Sequence, residues 1–241
     1  MIHLLILFKR RDDVNRKELL RYWREVHAPL VAGLPGVRRY VQSTVSVVPG
    51  SAPPYDGVEE IWVDDESAID RLPHCTACGE SAQAGMGALI DAAQGVMLRT
   101  TDHFVHAGLQ IGREESLPKR MTFFKRKPGL EREDMLRYWR GTHGPLAASV
   151  PGLRRYVQSA LLPTAYGSGE PRFDGAAQIW IENEAALQAL VSSTLFLESV
   201  KPDEANFVNT DAVLTLPIGE ERRIVWPQED WRKIGESRGY I

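Results

Sequence analysis

Two histidines, His27 and His143, occupy equivalent places in this 241-residue chain, each four residues after a tryptophan and two before a proline. Imidazole titrates closest to neutrality of all side chains, so a histidine held against an enclosed space is suited to moving a proton at neutral pH. No other general base is duplicated in this way. The competing role is structural, with an imidazole at a helix C-terminus bonding a free carbonyl and interacting with the dipole. Tyr40 with Gln42, and Tyr156 with Gln158, alternate onto one face of a predicted strand. A phenol beside an amide can bind a substrate carbonyl or phenolate and stabilise oxyanion charge, or can serve as a satisfied, half-buried strand aromatic. Trp23, Trp62 and Trp180 offer planar surfaces to a substrate or to the core.

The copies differ at informative positions. Glu60 aligns with Gln178, His103 with Asn206, and Glu25 with Gly141, so the first copy keeps ionisable groups where the second is neutral. If one pocket works alone, the expectation is the first, with His27, Glu60 and His103 forming an acid–base constellation in which a carboxylate orients an imidazole. The catalytic candidates are therefore His27, His143, Tyr40 and Tyr156. Gln42, Gln158, Trp62, Trp180, Glu60, His103 and Trp23 are candidates for binding substrate. His74-Cys75-Thr76-Ala77-Cys78 falls short of a zinc ligand set, and no metal site is expected. The sequence contains no phosphate loop, dinucleotide fingerprint, nucleophile elbow or paired catalytic carboxylates, so phosphoryl transfer, nicotinamide chemistry and serine hydrolysis lack support.

The elements that position these residues come from a repeat. Leu19 to Ser43 matches Met135 to Ser159 at 17 of 25 positions with a constant offset of 116, and Tyr55 to Val63 matches Phe173 to Ile181 at an offset of 118. Each copy opens with an apolar strand (residues 2–8 in the first). In the first copy a helix capped at Asn15 follows, burying Leu19, Trp23, Val26 and Leu30 and ending near Gly33, Pro35 and Gly36. A strand over 37–48, a loop, a strand ending near Asp64, a second helix from the Asp64-Asp65-Glu66 cluster and a last strand near 103–111 complete the order β-α-β-β-α-β, the ferredoxin-like plan. The predicted fold is α+β, with two such repeats packed sheet to sheet as an intramolecular pseudo-dimer. The predicted boundaries are 1–112, with an insertion at about 72–101 that includes a lid-like Ala and Gly-rich segment, then 119–217, and a tail over 218–241 that packs on the barrel.

Composition narrows the partners. Lys and Arg number 29 against 32 Asp and Glu, a net −3, which disfavours nucleic acid and anionic membrane surfaces. Apolar residues make up 43% and charged residues 25%, as in ordinary globular proteins. No apolar run approaches the roughly 20 residues of a membrane span, and the N-terminal run ends in Lys9-Arg10-Arg11, unlike a secretory signal. A cytoplasmic protein with an apolar small molecule as partner is expected, with further homodimerisation left open.

The motif Tyr-Trp-x-x-x-His-x-Pro-Leu, followed by Pro-Gly-(Val/Leu)-Arg-Arg-Tyr-Val-Gln-Ser and Asp-Gly-x-x-x-Ile-Trp, resembles the EthD family of dimeric α+β barrels. In the first copy it is carried by Tyr22, Trp23, His27, Pro29, Pro35, Gly36, Tyr40, Asp56, Gly57 and Trp62, and in the second by Tyr138, Trp139, His143, Pro145, Pro151, Gly152, Tyr156, Asp174, Gly175 and Trp180. The resemblance implies a homodimer written into one chain. It also implies a setting in catabolism or secondary metabolism, within a superfamily of cofactor-free quinone-forming monooxygenases, polyketide cyclases, isomerases, dehydratases and haem-degrading enzymes. The expected function is a cofactor-independent enzyme that isomerises, cyclises, dehydrates or similarly rearranges an apolar carbonyl or aromatic compound by histidine acid–base catalysis. The alternatives are a cofactor-free monooxygenase of an activated phenol and a non-catalytic carrier.

Overall fold

A computed structural model describes residues 1–47, 50–71, 85–108 and 111–226. The sites of Cys75 and Cys78, with residues 72–84 of the expected insertion, lie outside the described residues. The strands are β1 (Ile2–Phe8), β2 (Val37–Val45), β3 (Gly57–Val63), β4 (Val96–His106), β5 (Lys119–Arg126), β6 (Leu153–Leu161), β7 (Gly175–Ile181) and β8 (Val208–Val225). Helix α1 runs from Arg16–Tyr22 through a π turn, Trp23–His27, into Ala28–Ala32, and α2 is Glu66–Arg71. Its counterpart α3 is built in the same way from Arg132–Tyr138, the π turn Trp139–His143 and Gly144–Ala148. Helix α4 is Glu184–Ser192, and α5 comprises Phe196–Val200, Lys201–Asp203 and Glu204–Asn206. Among the described residues no helix is long and apolar enough to cross a membrane.

The chain forms two compact units, Met1–Arg99 joined by the chain from Gly219, and Thr100–Ile218. The division falls inside β4 and β8, whereas the sequence repeat divides near residue 112, because each of these long strands pairs in one unit at its start and in the other at its end. In the first unit the strand order is the opening of β4, then β1, β3, β2 and the end of β8; in the second it is the opening of β8, then β5, β7, β6 and the end of β4. Antiparallel ladders run Ile2↔Val63 to Phe8↔Gly57 in the first unit and Lys119↔Trp180 to Phe124↔Gly175 in the second. All of β3 is buried, so both of its faces are covered. Alternation sends Leu4 and Phe8 toward the helices and leaves His3, Leu5 and Leu7 on the opposite face. The tail begins as strand: Ile224 and Val225 pack on the first unit's core, and Arg39 and Arg223 lie over the Trp226 ring.

Helix α1 departs from the expected spacing. Val26 is 44% exposed and His27 only 6%. Proline at position 29 has no N–H and would crowd a regular α-helix. The π turn accommodates it, and its extra residue moves the buried stripe from Val26 to His27 and Ala28. His27 therefore lies within the helical stretch, not at its end as expected. The Trp23 carbonyl accepts the Ala28 N–H and also Gln42 Nε2 at 2.9 Å. In α3 the Trp139 carbonyl likewise accepts the Gly144 N–H and Gln158 Nε2 at 2.8 Å. A strand amide thus braces each π turn and holds each histidine toward its sheet.

The Asp-Gly pairs are structural. Asp56 accepts the Arg10 N–H at 2.8 Å, Arg10 Nη1 at 2.5 Å and Arg16 Nε at 3.1 Å, and so clamps the loop before β3 to the end of β1. Asp174 does the same with Arg126. Gly57 lies so close to the aromatic core that an added Cβ would stand 2.5 Å from Phe8 Cζ and 3.0 Å from Trp23 Cη2, and at Gly175 it would stand 3.0 Å from Trp139 Cζ3.

Candidate active site

In the first unit, His27, Tyr40, Gln42 and Trp23 meet on the helix-facing side of the sheet, as the strand alternation and helix spacing predict. Their centre is a residue the sequence reading passed over, Glu59 of β3. His27 Nε2 lies 3.0 Å from Glu59 Oε1, Trp23 Nε1 donates to it at 3.2 Å, and the Tyr40 hydroxyl donates to the same oxygen. Gln42 Nε2 donates to the Tyr40 oxygen at 2.8 Å, and its Oε1 accepts Arg222 Nη1 at 3.1 Å. Burial pushes the Glu59 pKa up, but the charge and hydrogen bond of His27 and the Tyr40 and Trp23 donors outweigh it, holding the carboxyl below its usual range. Burial, then the Glu59 charge, pushes the Tyr40 phenol well above its ordinary value. The cluster is buried, and Tyr40 spends its hydroxyl hydrogen internally.

The expected constellation of His27, Glu60 and His103 does not form. Glu60 is one residue from Glu59, and the two-residue period of a strand turns it to the opposite face. There Ser43 Oγ donates to it at 3.0 Å and His3 Nε2 lies 3.6 Å away. Trp62 shares that face, stacked on His3 with centroids 3.8 Å apart. Trp180 is likewise on the face away from the second unit's helix site, where it packs with Ile111 and Val157 beneath Lys119 Nζ at 4.5 Å from its ring. His103 belongs to the second unit, opposite Gln158 on β6. Burial, then the Arg140 charge, lowers its pKa. Its alignment with Asn206 fails because Asn206 lies in the last turn of α5, not in a strand.

The second unit repeats the scaffold with different chemistry. Ala177 stands where the first unit has Glu59. Without that carboxylate, Trp139 Nε1 and Gln158 Nε2 both donate to the Tyr156 oxygen, each at 3.2 Å. Neither contact uses the Tyr156 hydroxyl hydrogen. Burial pushes the Tyr156 pKa up to about 12, so the phenol stays protonated and able to donate. The histidine has also changed partner. His143 Nδ1 lies 2.8 Å from Asp203 Oδ2 of α5, whose other oxygen accepts the Tyr138 hydroxyl at 2.6 Å and Asn206 Nδ2 at 3.0 Å. Burial would raise the Asp203 pKa, but these donors outweigh it and lower it. An ionised Asp203 on Nδ1–H leaves Nε2 of a neutral His143 as the basic nitrogen.

A cavity of about 390 Å³ opens here between the second unit's sheet and its helices. His143, Tyr156, Trp139 and Ala177 line it together with apolar side chains such as Leu187 and Phe207, and Arg120 and Thr122 reach it from β5. Its size and predominantly apolar wall suit a small organic molecule. Neither Ala177 nor Asp203 was singled out from sequence. Among the described residues no cluster of three or more His, Cys, Asp or Glu side chains is arranged to hold a metal ion.

The EthD domain family matches residues 11–91 and 127–211. No curated protein matches the sequence. Among solved structures, an anthrone oxidase-like protein superposes with a TM-score of 0.68 at 12% identity, over 95% of this chain and 96% of its own. A proposed monooxygenase of Lactobacillus acidophilus NCFM gives 0.57 at 11% identity, over 92% and 96%. A proposed chlorite dismutase gives 0.52 at 12%, over 91% and 95%. At these identities the likeness shows the fold, an α+β barrel of two ferredoxin-like halves.

Proposed function

Because the chain belongs to the EthD family, whose α+β barrel fold hosts small-molecule chemistry, we propose that it is a cofactor-independent enzyme acting on an apolar carbonyl or aromatic compound in the second-unit cavity. A substrate carbonyl or phenol oxygen accepts the Tyr156 hydroxyl hydrogen. His143 Nε2 removes a proton from the adjacent carbon or hydroxyl, and the electron pair moves onto the oxygen that Tyr156 holds. The imidazolium is stabilised by Asp203 through Nδ1–H. A neutral phenol already gripped by Trp139 and Gln158 does not reorganise as the oxyanion develops, which is the condition for electrostatic stabilisation to lower a barrier. Return of the proton to a second position on the substrate completes an isomerisation; its delivery to a departing hydroxyl completes a dehydration.

The observation that carries this reading is the contrast between the two tyrosines. Tyr40 gives its hydrogen to Glu59, while Tyr156, with alanine in that place, keeps its hydrogen for whatever fills the cavity. On this reading the His27, Glu59 and Tyr40 cluster braces the first unit. A second reading shares the first step. The anion formed by His143 reacts with dioxygen, as the names of the anthrone oxidase-like and monooxygenase-like neighbours suggest. The test is exchange of substrate hydrogen for solvent deuterium, followed by mass spectrometry across a panel of enolisable aryl ketones and anthrone-type phenols. Exchange without oxygen uptake supports rearrangement chemistry, and oxygen uptake matched to product supports oxygenation. Binding with neither exchange nor oxygen uptake makes the protein a carrier.

A further inference from the structure

The cavity has one feature that proton transfer does not use. Arg120 reaches it from β5, between Ile179 of β7 and Pro217 of β8. Its Nε is buried without a hydrogen-bond partner, and among the described residues the side chain forms no ion pair. At the 116-residue offset its counterpart is Leu4, which is packed into the first unit's core with Tyr40 and Ile61. The next inward position changes from Ile6 to Thr122, whose hydroxyl lies 3.1 Å from that of Thr215, and both threonines line the cavity. Between the two copies, two apolar positions of β1 have thus become a guanidinium and a hydroxyl on β5, with the Thr215 hydroxyl of β8 beside them. The nearby carboxylate, Glu204, is engaged by Lys201 Nζ at 2.5 Å.

Arg120 is half-buried, its Nε is shut off from water at the cavity wall without a carboxylate beside it, and a guanidinium so placed favours an arriving anion; its fork of donors matches a planar or tetrahedral oxyanion. We infer that Arg120 with Thr122 and Thr215 is an anion subsite, so that the substrate class is aromatic or fused-ring compounds carrying one acidic group, whose apolar body lies along the wall toward Tyr156 and His143. This inference rests on the cavity being the binding site.

A matched pair of fluorescent probes tests it: anilinonaphthalene sulfonate and phenylnaphthylamine, the same ring system without the sulfonate. In the full chain both are expected to bind, the sulfonate more tightly. Arg120→Leu, which restores the residue of the first copy, should weaken the sulfonate by about 10-fold or more and leave the neutral probe unchanged. Arg120→Lys should retain most of the sulfonate affinity. Arg120→Gln provides the same charge removal should the leucine variant be unstable. Ala177→Phe, which fills the cavity, should displace both probes. If Ala177→Phe displaces both but neither Arg120→Leu nor Arg120→Gln affects the sulfonate, the cavity stands and the anion subsite is overturned. If Ala177→Phe displaces neither, the cavity itself is not the binding site and both readings fall.

Discussion

Replacing Ala177 with glutamate would write the first unit's chemistry into the second. The scaffold can receive it: Trp139 Nε1 and the Tyr156 hydroxyl occupy the places from which Trp23 and Tyr40 donate to Glu59. Two hydrogen bonds to a carboxylate contribute about 1.5–3 kcal/mol each, while burying the ion costs several kcal/mol. The terms nearly cancel, so Ala177→Glu should shift stability in urea by no more than about 2 kcal/mol. Function should respond far more. The new side chain occupies the cavity and takes the one hydroxyl hydrogen that Tyr156 has to offer, so affinity for the neutral naphthylamine probe should fall by at least about 100-fold, close to 2.8 kcal/mol at 1.4 kcal/mol per decade. Tyrosinate absorbance followed to high pH should show the Tyr156 transition moving up from about 12, because a carboxylate beside a phenol disfavours its ionisation as Glu59 does for Tyr40. A folded Ala177→Glu protein with unchanged probe affinity would refute the claim that this alanine makes the site.

Other perturbations separate scaffold from site. Gly57→Ala should cost about 1–3 kcal/mol, since its Cβ would press on Phe8 and Trp23, whereas Gly141→Ala, with nothing within 4 Å of the added atom, should be neutral or stabilising in thermal melts. Glu59 titrates below its ordinary pKa in the folded chain, so the stability it contributes is fully present above the unfolded-state value near 4.3 and is lost as pH falls through the lower folded value. Urea midpoints should therefore drop more steeply below about pH 4 for the parent than for Glu59→Gln. Asp203→Asn should lower turnover by about 100-fold or more while leaving probe affinity intact, because it removes the charge that orients and stabilises His143 without narrowing the cavity; equal losses in both would mean that Asp203 acts by shaping the pocket.

The groups recovered from sequence are those governed by simple periodicity. Tyr40 and Gln42 alternate onto one strand face, Trp23 and His27 recur one helical turn apart, and the repeat establishes that each half contains both pairs. The misses have physical causes. Glu60 drew attention because its counterpart is its neutral analogue Gln178, but alternation counted from Gly57, which must face Trp23, places Glu59 on the helix side and Glu60 on the other. The exposure of Val26 follows from a π turn, which hydrophobic spacing read at 3.6 residues per turn does not register. Asp203 lies on a helix following α4 for which the sequence repeat supplied no counterpart. The first copy carries more ionisable groups at the aligned positions. In the folded chain the first unit's His27, Tyr40 and Trp23 are satisfied by Glu59, and on the function proposed above the site lies where Ala177 replaces that carboxylate.

The most direct test of the account compares solvent-deuterium exchange into a bound aryl ketone for the parent, His143→Gln and His27→Gln, each verified as folded by circular dichroism at the assay temperature. On the assignment of His143 as the general base, His143→Gln should reduce exchange by at least about 100-fold, and His27→Gln should leave the exchange rate within about a factor of three of the parent. Exchange that survives in His143→Gln, or that is lost to the same degree in His27→Gln, would contradict it.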